Sequence, residues 1–202
     1  TWWSQYRDSV APAYYSYIGL EAEAVALFFY QSVGMPGLLQ TEAYAQAMLQ
    51  TVIPRLTDAA KAQTSVALRM RRQQEVLNRP NPPRIDVVLD EATLHRQTGG
   101  PAVFREQLKH LLHLARSGRT TIQILPFTST IYTPLGQFVV LRLSEAGDND
   151  VVYLESTGVE DVLDQPEAVD AHLKTFEGLQ QAALDPAASL ARIQELVDRL
   201  GD

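Results

Sequence analysis

The hydrophobic positions of this chain fall into short runs and helical stripes separated by proline and glycine breaks. Ala24 to Gln31 (AVALFFYQ) is an apolar run too short for a confident helix, and it predicts a buried strand. The chain then breaks at Met35-Pro36-Gly37, and Thr41 is placed to N-cap a helix over 42–50. Pro54-Arg55-Leu56-Thr57 interrupts it, and Thr57-Asp58 predict the cap of a long helix reaching Asn78. In that helix Ala59, Ala62, Val66, Met70, Gln73 and Leu77 form one stripe, with Arg69 and Arg72 on its flanks. Arg79-Pro80-Asn81-Pro82-Pro83 ends it.

Further on, 85–89 reads as a strand and 102–117 as an amphipathic helix facing inward through Phe104, Leu108, Leu111 and Ala115. Gly118 closes that helix. Strands follow at 120–125 and 137–143, with a polar loop at 126–136 between them. Ala146-Gly147-Asp148-Asn149-Asp150 is a turn, so 137–143 and 151–155 should pair as an antiparallel hairpin. Helices at 164–183 and 186–200 finish the chain. Strands cluster late and helices gather around them. The fold class expected is α+β, a mostly antiparallel sheet of about four to five strands packed with long amphipathic helices, in one domain over 1–202. Residues 1–18 form an aromatic arm (Trp2, Trp3, Tyr6, Tyr14, Tyr15, Tyr17), read as cover for the core or as a docking surface.

Composition narrows the chemistry. Apolar residues make up 46% of 202, enough for a packed core, so disorder is not expected. There is no cysteine, which excludes disulfides, thiolate metal sites and a cysteine nucleophile. No apolar run approaches the roughly 20 residues of a membrane span, and no secretory leader is visible, so a cytoplasmic protein is expected. The formal charge is −7, with 24 acidic against 17 basic residues, so this chain should repel a phosphate backbone.

The candidate chemistry gathers where strands give way to loops. Gln40, Arg72, Glu91 and Glu155 are the polar candidates for a ligand pocket, with Tyr44 and Tyr153 as walls and His95, one helical turn from Glu91, as a titrating group. Glu91 shares a face with Ile85, Val87 and Leu89, and Glu155 with Val151 and Tyr153. Inward carboxylates need partners, and Arg69, Arg72 and Arg96 are the expected supply. His110 and His113 read as surface residues, and no metal or other cofactor is expected. There is no Gly-x-Ser-x-Gly elbow, no phosphate loop and no dinucleotide fingerprint.

The ordered set Leu20-Glu21-Ala22-Glu23-Ala24, PGLLQTEAYA at 36–45, Arg69-Met70-Arg71-Arg72-Gln73, Asp90-Glu91-Ala92-Thr93-Leu94, Ile124-Leu125-Pro126 and Val152-Tyr153-Leu154-Glu155, with Trp2-Trp3 ahead of it, resembles a domain of unknown function. That domain is found in actinobacterial regulators, where it follows an Xre-type helix-turn-helix. The resemblance implies a domain that responds to a small molecule or a regulatory protein and controls an attached DNA-binding domain. DNA would be reached only through a segment ahead of Thr1, no membrane is involved, and a homodimer is expected from the class. Two other readings remain open. One is a biosynthetic enzyme using Glu91 and Glu155 as acid and base. The other is a protein-interaction module presenting the helix 186–200 and the aromatic arm.

Overall fold

The computed structural model describes residues 1–52, 59–131, 133–156 and 159–201. The expected cap at Thr57-Asp58 and the break at 54–57 lie outside them. A 3-10 turn at Ser4–Ser9 leads into α1 (Pro12–Glu23), and β1 (Ala26–Gln31) follows. The order continues α2 (Glu42–Val52), α3 (Ala59–Leu77), β2 (Arg84–Asp90), α4 (Pro101–Arg116), β3 (Thr120–Leu125), β4 (Phe138–Arg142), β5 (Val151–Ser156), β6 (Val159–Leu163), α5 (Pro166–Ala182) and α6 (Pro186–Arg199).

The strands form one six-stranded sheet in the order β3-β2-β1-β4-β5-β6. This corrects the expectation of four to five mostly antiparallel strands, although the α+β class stands. β1, β2 and β3 are parallel neighbours, whereas β1-β4, β4-β5 and β5-β6 are antiparallel. The cause is in the connections. A strand, a helical crossover and a strand force parallel pairing, and the stretch 24–125 contains two such units in succession. β1 carries the sign of it, since its first five residues are all buried, as in a strand covered on both faces. The hairpin β4-β5 is as expected. β6 was not anticipated, because Glu160 and Asp161 at its middle are poor strand formers. The exposed Asp161 suits an edge strand, where charge blocks further pairing.

Both faces of the sheet are covered. Leu27, Phe29, Ile85, Val87, Ile122, Val139 and Tyr153 point to one side, where α1, α2, α3, α4 and α6 supply Tyr17, Tyr44, Val76, Phe104, Leu108, Ile193 and Val197. Phe28, Tyr30, Val88, Phe138 and Val140 point to the other side, against Val169, Phe176 and Leu179 of α5. The β3 edge is closed by the α5-α6 connection: Leu184 N donates to Ile124 O (2.9 Å), and Ile124 N donates to Ser189 Oγ (2.9 Å). The stripe of α6 is thus spent inside the domain.

Two further differences bear on function. The aromatic arm of 1–18 forms the 3-10 turn Ser4–Ser9 and the first part of α1, which runs on to Glu23; apolar and aromatic side chains surround α1 and leave no stripe to mark its bounds. Gly19 within it lets the Trp3 ring lie 3.6 Å from where a Cβ would stand. In α3 the buried row is Leu68, Arg72 and Val76 at spacing four, with Met70, Gln73 and Leu77 beside it. The expected stripe is rotated, and Arg72 stands at its centre rather than on its flank.

Candidate functional site

The turn after β1 is held by hydrogen bonds from three glutamines and an arginine. Thr41 caps α2 as expected, its Oγ1 accepting from Tyr44 N at 3.2 Å. Leu38, Leu39 and Gln40 are buried, so their backbone groups need partners inside the protein. Three glutamines provide most of them. Gln73 Nε2 donates to the carbonyls of Gly37 and Gln40, both at 2.8 Å. Gln107 Nε2 donates to Leu39 O, and its Oε1 accepts from Thr41 N, both at 2.7 Å. Gln40 Nε2 donates to Met35 O (2.7 Å), and its Oε1 accepts from Arg69 Nη1 (2.6 Å). The Met-Pro-Gly-Leu-Leu-Gln-Thr run is therefore a buried turn clamped by α3 and α4. Tyr44 is buried beside it against Phe104, and burial holds its hydroxyl above the ordinary tyrosine pKa.

Arg72 lies just beyond this turn and is only 3% exposed, while Glu21 of α1 is wholly buried. Arg72 Nε stands 2.9 Å from Glu21 Oε2, Tyr17 donates to Glu21 Oε1 at 2.5 Å, and Arg72 Nη1 donates to the Tyr14 hydroxyl. The guanidinium also lies over the rings of Tyr14 and Tyr17, 5.6 and 5.5 Å from their centroids. Burial works against the Arg72 charge, but Glu21 and the two tyrosines outweigh it and hold the group protonated more firmly than a free guanidinium. Burial lifts the Glu21 carboxyl above its ordinary value, while Arg72, the Tyr17 hydroxyl and Arg79 pull it back. Tyr17 is thus the hydrogen-bond donor to Oε1, whereas Oε2 meets Arg72 Nε as a close charge contact without hydrogen-bond alignment. Tyr17 stacks on Tyr153 of β5, with centroids 4.2 Å apart and planes 18° apart. The field of the exposed Glu155 reaches Arg69 and Arg72.

Glu91 and His95 sit elsewhere, in the 3-10 turn Glu91–Leu94 and the residue after it, at the carboxyl end of β2. The partners expected for Glu91 were Arg69, Arg72 or Arg96. Instead, Arg192 of α6 donates to Glu91 Oε1 at 2.7 Å, and Phe127 N donates to Oε2 at 2.9 Å. His95 Nε2 lies 3.7 Å from Glu91 Oε1, and its ring stacks on Phe127 with centroids 5.5 Å apart. Burial alone would raise the Glu91 carboxyl, but Arg192, the Phe127 amide and His95 bring it below the ordinary range. A depressed carboxyl stabilises the fold above its unfolded pKa and loses that contribution as pH falls through the folded value. Glu91→Gln should thus cost about 1–2 kcal/mol at pH 7, since Arg192 is half-exposed and the pair is partly screened. The deficit should shrink toward zero below about pH 4. Urea titrations of both forms at pH 7 and pH 3.5 measure it, and an equal deficit at both would show that the ion pair contributes nothing.

The seven candidate residues consequently divide. Gln40, Tyr44, Arg72 and Tyr153 are buried in contacts with the protein itself, Glu91 and His95 share a second place, and Glu155 is exposed at the end of β5. β2 and β5 are separated by β1 and β4. Three strand steps of ~4.8 Å put the backbones of Glu91 and Glu155 about 14 Å apart across the sheet, and the Glu91 carboxylate is engaged by Arg192 and Phe127 N rather than by a second carboxyl. The sequence reading missed Gln107, Arg192 and Phe127. Gln107 had a signal, as a polar residue inside the apolar stripe of α4. Phe127 had a weaker one, as a large ring directly after the strand-ending Pro126.

At the carboxyl ends of the parallel strands the chain parts. The turn 35–41 passes onto the α3-α4 face, whereas the loop 126–136 lays Ile131 and Leu135 against the α5 face. Phe127 and Val33, 64% and 55% exposed, are the exposed large hydrophobics among the described residues, and both lie at this end of the sheet. Two clefts, of about 410 Å³ between α2 and α3 and about 490 Å³ beside the β4-β5 turn, are lined by none of the seven candidates. Among the described residues no helix is long and apolar enough to cross a membrane.

No curated protein and no solved structure matches the chain. A family model described as "Domain of unknown function (DUF5753)" matches residues 14–195. The match opens inside α1, leaving Trp2-Trp3 outside it, and closes inside α6, so it takes in the whole sheet and every residue of both clusters; the chain belongs to this family.

Proposed function

We propose that this chain is the effector-sensing domain of a cytoplasmic transcriptional regulator of the Xre helix-turn-helix type, as in the actinobacterial proteins that its motifs resemble. It takes up a small molecule at the carboxyl end of the parallel strands and controls a DNA-binding domain attached ahead of Thr1. The observation that carries this reading is the parting of the chain at the β1-β4 boundary, where the sheet turns from parallel to antiparallel. Open α/β sheets take up ligands outside the strand carboxyl ends at such a switch point. Here Val33, after β1, supplies apolar surface at that boundary, and the adjoining ends of β2 and β3 add Phe127, the half-exposed ring of His95, and Arg192 and Glu91 as a charged border. His95 and Glu91 therefore remain in the ligand set, and Phe127 and Arg192 join it. Gln40, Arg72, Tyr44 and Tyr153 serve the scaffold. The acidic balance of the chain supports a division of labour in which another segment grips DNA. A homodimer follows from the class, since two-fold operators are read by two-fold proteins.

Native mass spectrometry of the purified protein, searched for a retained small molecule, tests the reading. A bound species is expected, with a Kd that rises about tenfold (~1.4 kcal/mol) in Phe127→Ala, near the upper end for losing one ring contact. The reading fails if no species is retained and the full-length protein binds its operator equally well in buffer and in a metabolite extract of its own cells.

A further inference from the structure

The scaffold cluster has a property that neither its stability nor a ligand at the sheet end requires. Helix α3 and the bend that follows it grip two separate parts of the chain. Arg69 and Gln73 hold the turn 35–41 through Gln40 Oε1 and through the carbonyls of Gly37 and Gln40. Arg79, two residues past the end of α3, donates to the carbonyls of Ala22 and Ala24 at the end of α1. Arg72 stands between them and touches both sides. Its Nη2 occupies the space a side chain at position 37 would need, 2.5 Å from an added Cβ, and its other atoms bind Glu21 and Tyr14 of α1. The guanidinium is buried and held toward α1 by Glu21 and Tyr14, so moving it away from Gly37 disturbs those contacts.

We infer that Arg72 couples the turn after β1 to the first helix of the domain, so that a shift of either one releases the other. Gly37 is the contact point: the missing side chain lets the guanidinium rest against the turn's backbone. The coupling is independent of whether a ligand binds at the strand ends. It gives α1, the helix nearest the amino terminus, a mechanical link to the loop that leaves the central strand. Because coupling between two sites is reciprocal, each must loosen the other to a similar extent.

Hydrogen exchange followed by mass spectrometry or NMR reads both ends. Gly37→Ala pushes Arg72 off its seat, and the α1 amides of residues 17–24 should exchange at least tenfold faster while those of β2 stay within about twofold of wild type. Tyr14→Phe removes one hydroxyl on the α1 side, and the Leu39 and Thr41 amides, bonded to Pro36 O and Gln107 Oε1, should exchange at least threefold faster with β2 again unchanged. Unchanged turn amides in Tyr14→Phe overturn the inference, as do unchanged α1 amides in Gly37→Ala. If Gly37→Ala loosens β2 as much as α1, the Tyr14→Phe result alone decides.

Discussion

Arg72→Ala is expected to destabilise the domain by about 3–5 kcal/mol, the cost of leaving one partner of a buried ion pair without the other. Glu21 is wholly buried, and the substitution takes away the guanidinium that neutralises it while leaving the Tyr17 hydroxyl as its remaining close donor. In a domain of this length the loss corresponds to a fall in Tm of roughly 6–20 °C. Replacing both charges at once, with Arg72→Met and Glu21→Leu, should recover most of the loss, because a well-packed apolar pair is often as stable as the ions it replaces. Chemical denaturation of the three variants against wild type checks both statements. A loss below about 1 kcal/mol in Arg72→Ala would show that the pair is solvated, and it would restore Arg72 as a residue free to meet a ligand.

That expectation reverses what the sequence suggests for the same residue, and the reversal has a definite cause. An arginine beside an apolar helical stripe reads as a flank that snorkels to water. The stripe itself was misplaced by about one residue, because alanines and a methionine mark a face poorly. Leu68 and Val76 are the better markers, and they put Arg72 between them in the buried row. A buried arginine is then forced by its surroundings, a carboxylate four residues after Tyr17 on α1 and two tyrosine rings. None of this is visible locally, since α1 and α3 are about fifty residues apart and α1 itself shows no helical stripe. Glu91 is the milder case. Its inward direction follows from the period of β2, but its partner Arg192 lies on the last helix, 101 residues away. The expected supply, Arg69, Arg72 and Arg96, does not include it.

The sheet was legible strand by strand and misread as a whole. The positions of β1 to β5 follow from short apolar runs bounded by turns, and the β4-β5 hairpin follows from its Gly-Asp-Asn turn. Direction depends on what joins the strands. The helices between β1, β2 and β3 impose parallel pairing, and that information was present in the order of elements. The late cluster of strands accounts for the antiparallel half alone. The consequence is functional, because only a sheet with a parallel half has a set of strand carboxyl ends at one border.

Gln107→Leu should cost about 2–5 kcal/mol, although it replaces a polar residue in an apolar stripe with one of similar size. The side chain is fully buried in α4, and each end of its amide meets one backbone group of the turn after β1. Leucine would fill the space and improve the stripe of Phe104, Leu108 and Leu111, which on burial alone is worth a gain. Two backbone groups then lose their partner, the carbonyl of Leu39 and the amide of Thr41. Both belong to a turn whose side chains at 38, 39 and 40 are buried, so water replaces the lost bonds poorly. Each unsatisfied group costs about 1–3 kcal/mol, which outweighs the gain from one apolar side chain already surrounded by others. Gln107→Glu separates the two terms. It keeps the acceptor for Thr41 N, loses the donor to Leu39 O and introduces a buried carboxyl, which pairs with that carbonyl only when protonated. Its deficit should therefore be larger at pH 7 than at pH 5, whereas that of Gln107→Leu should be the same at both. Urea midpoints at the two pH values measure the difference. A Gln107→Leu protein as stable as wild type would mean that the turn does not depend on its clamp, and with it would go the reason for a glutamine inside the apolar face of α4.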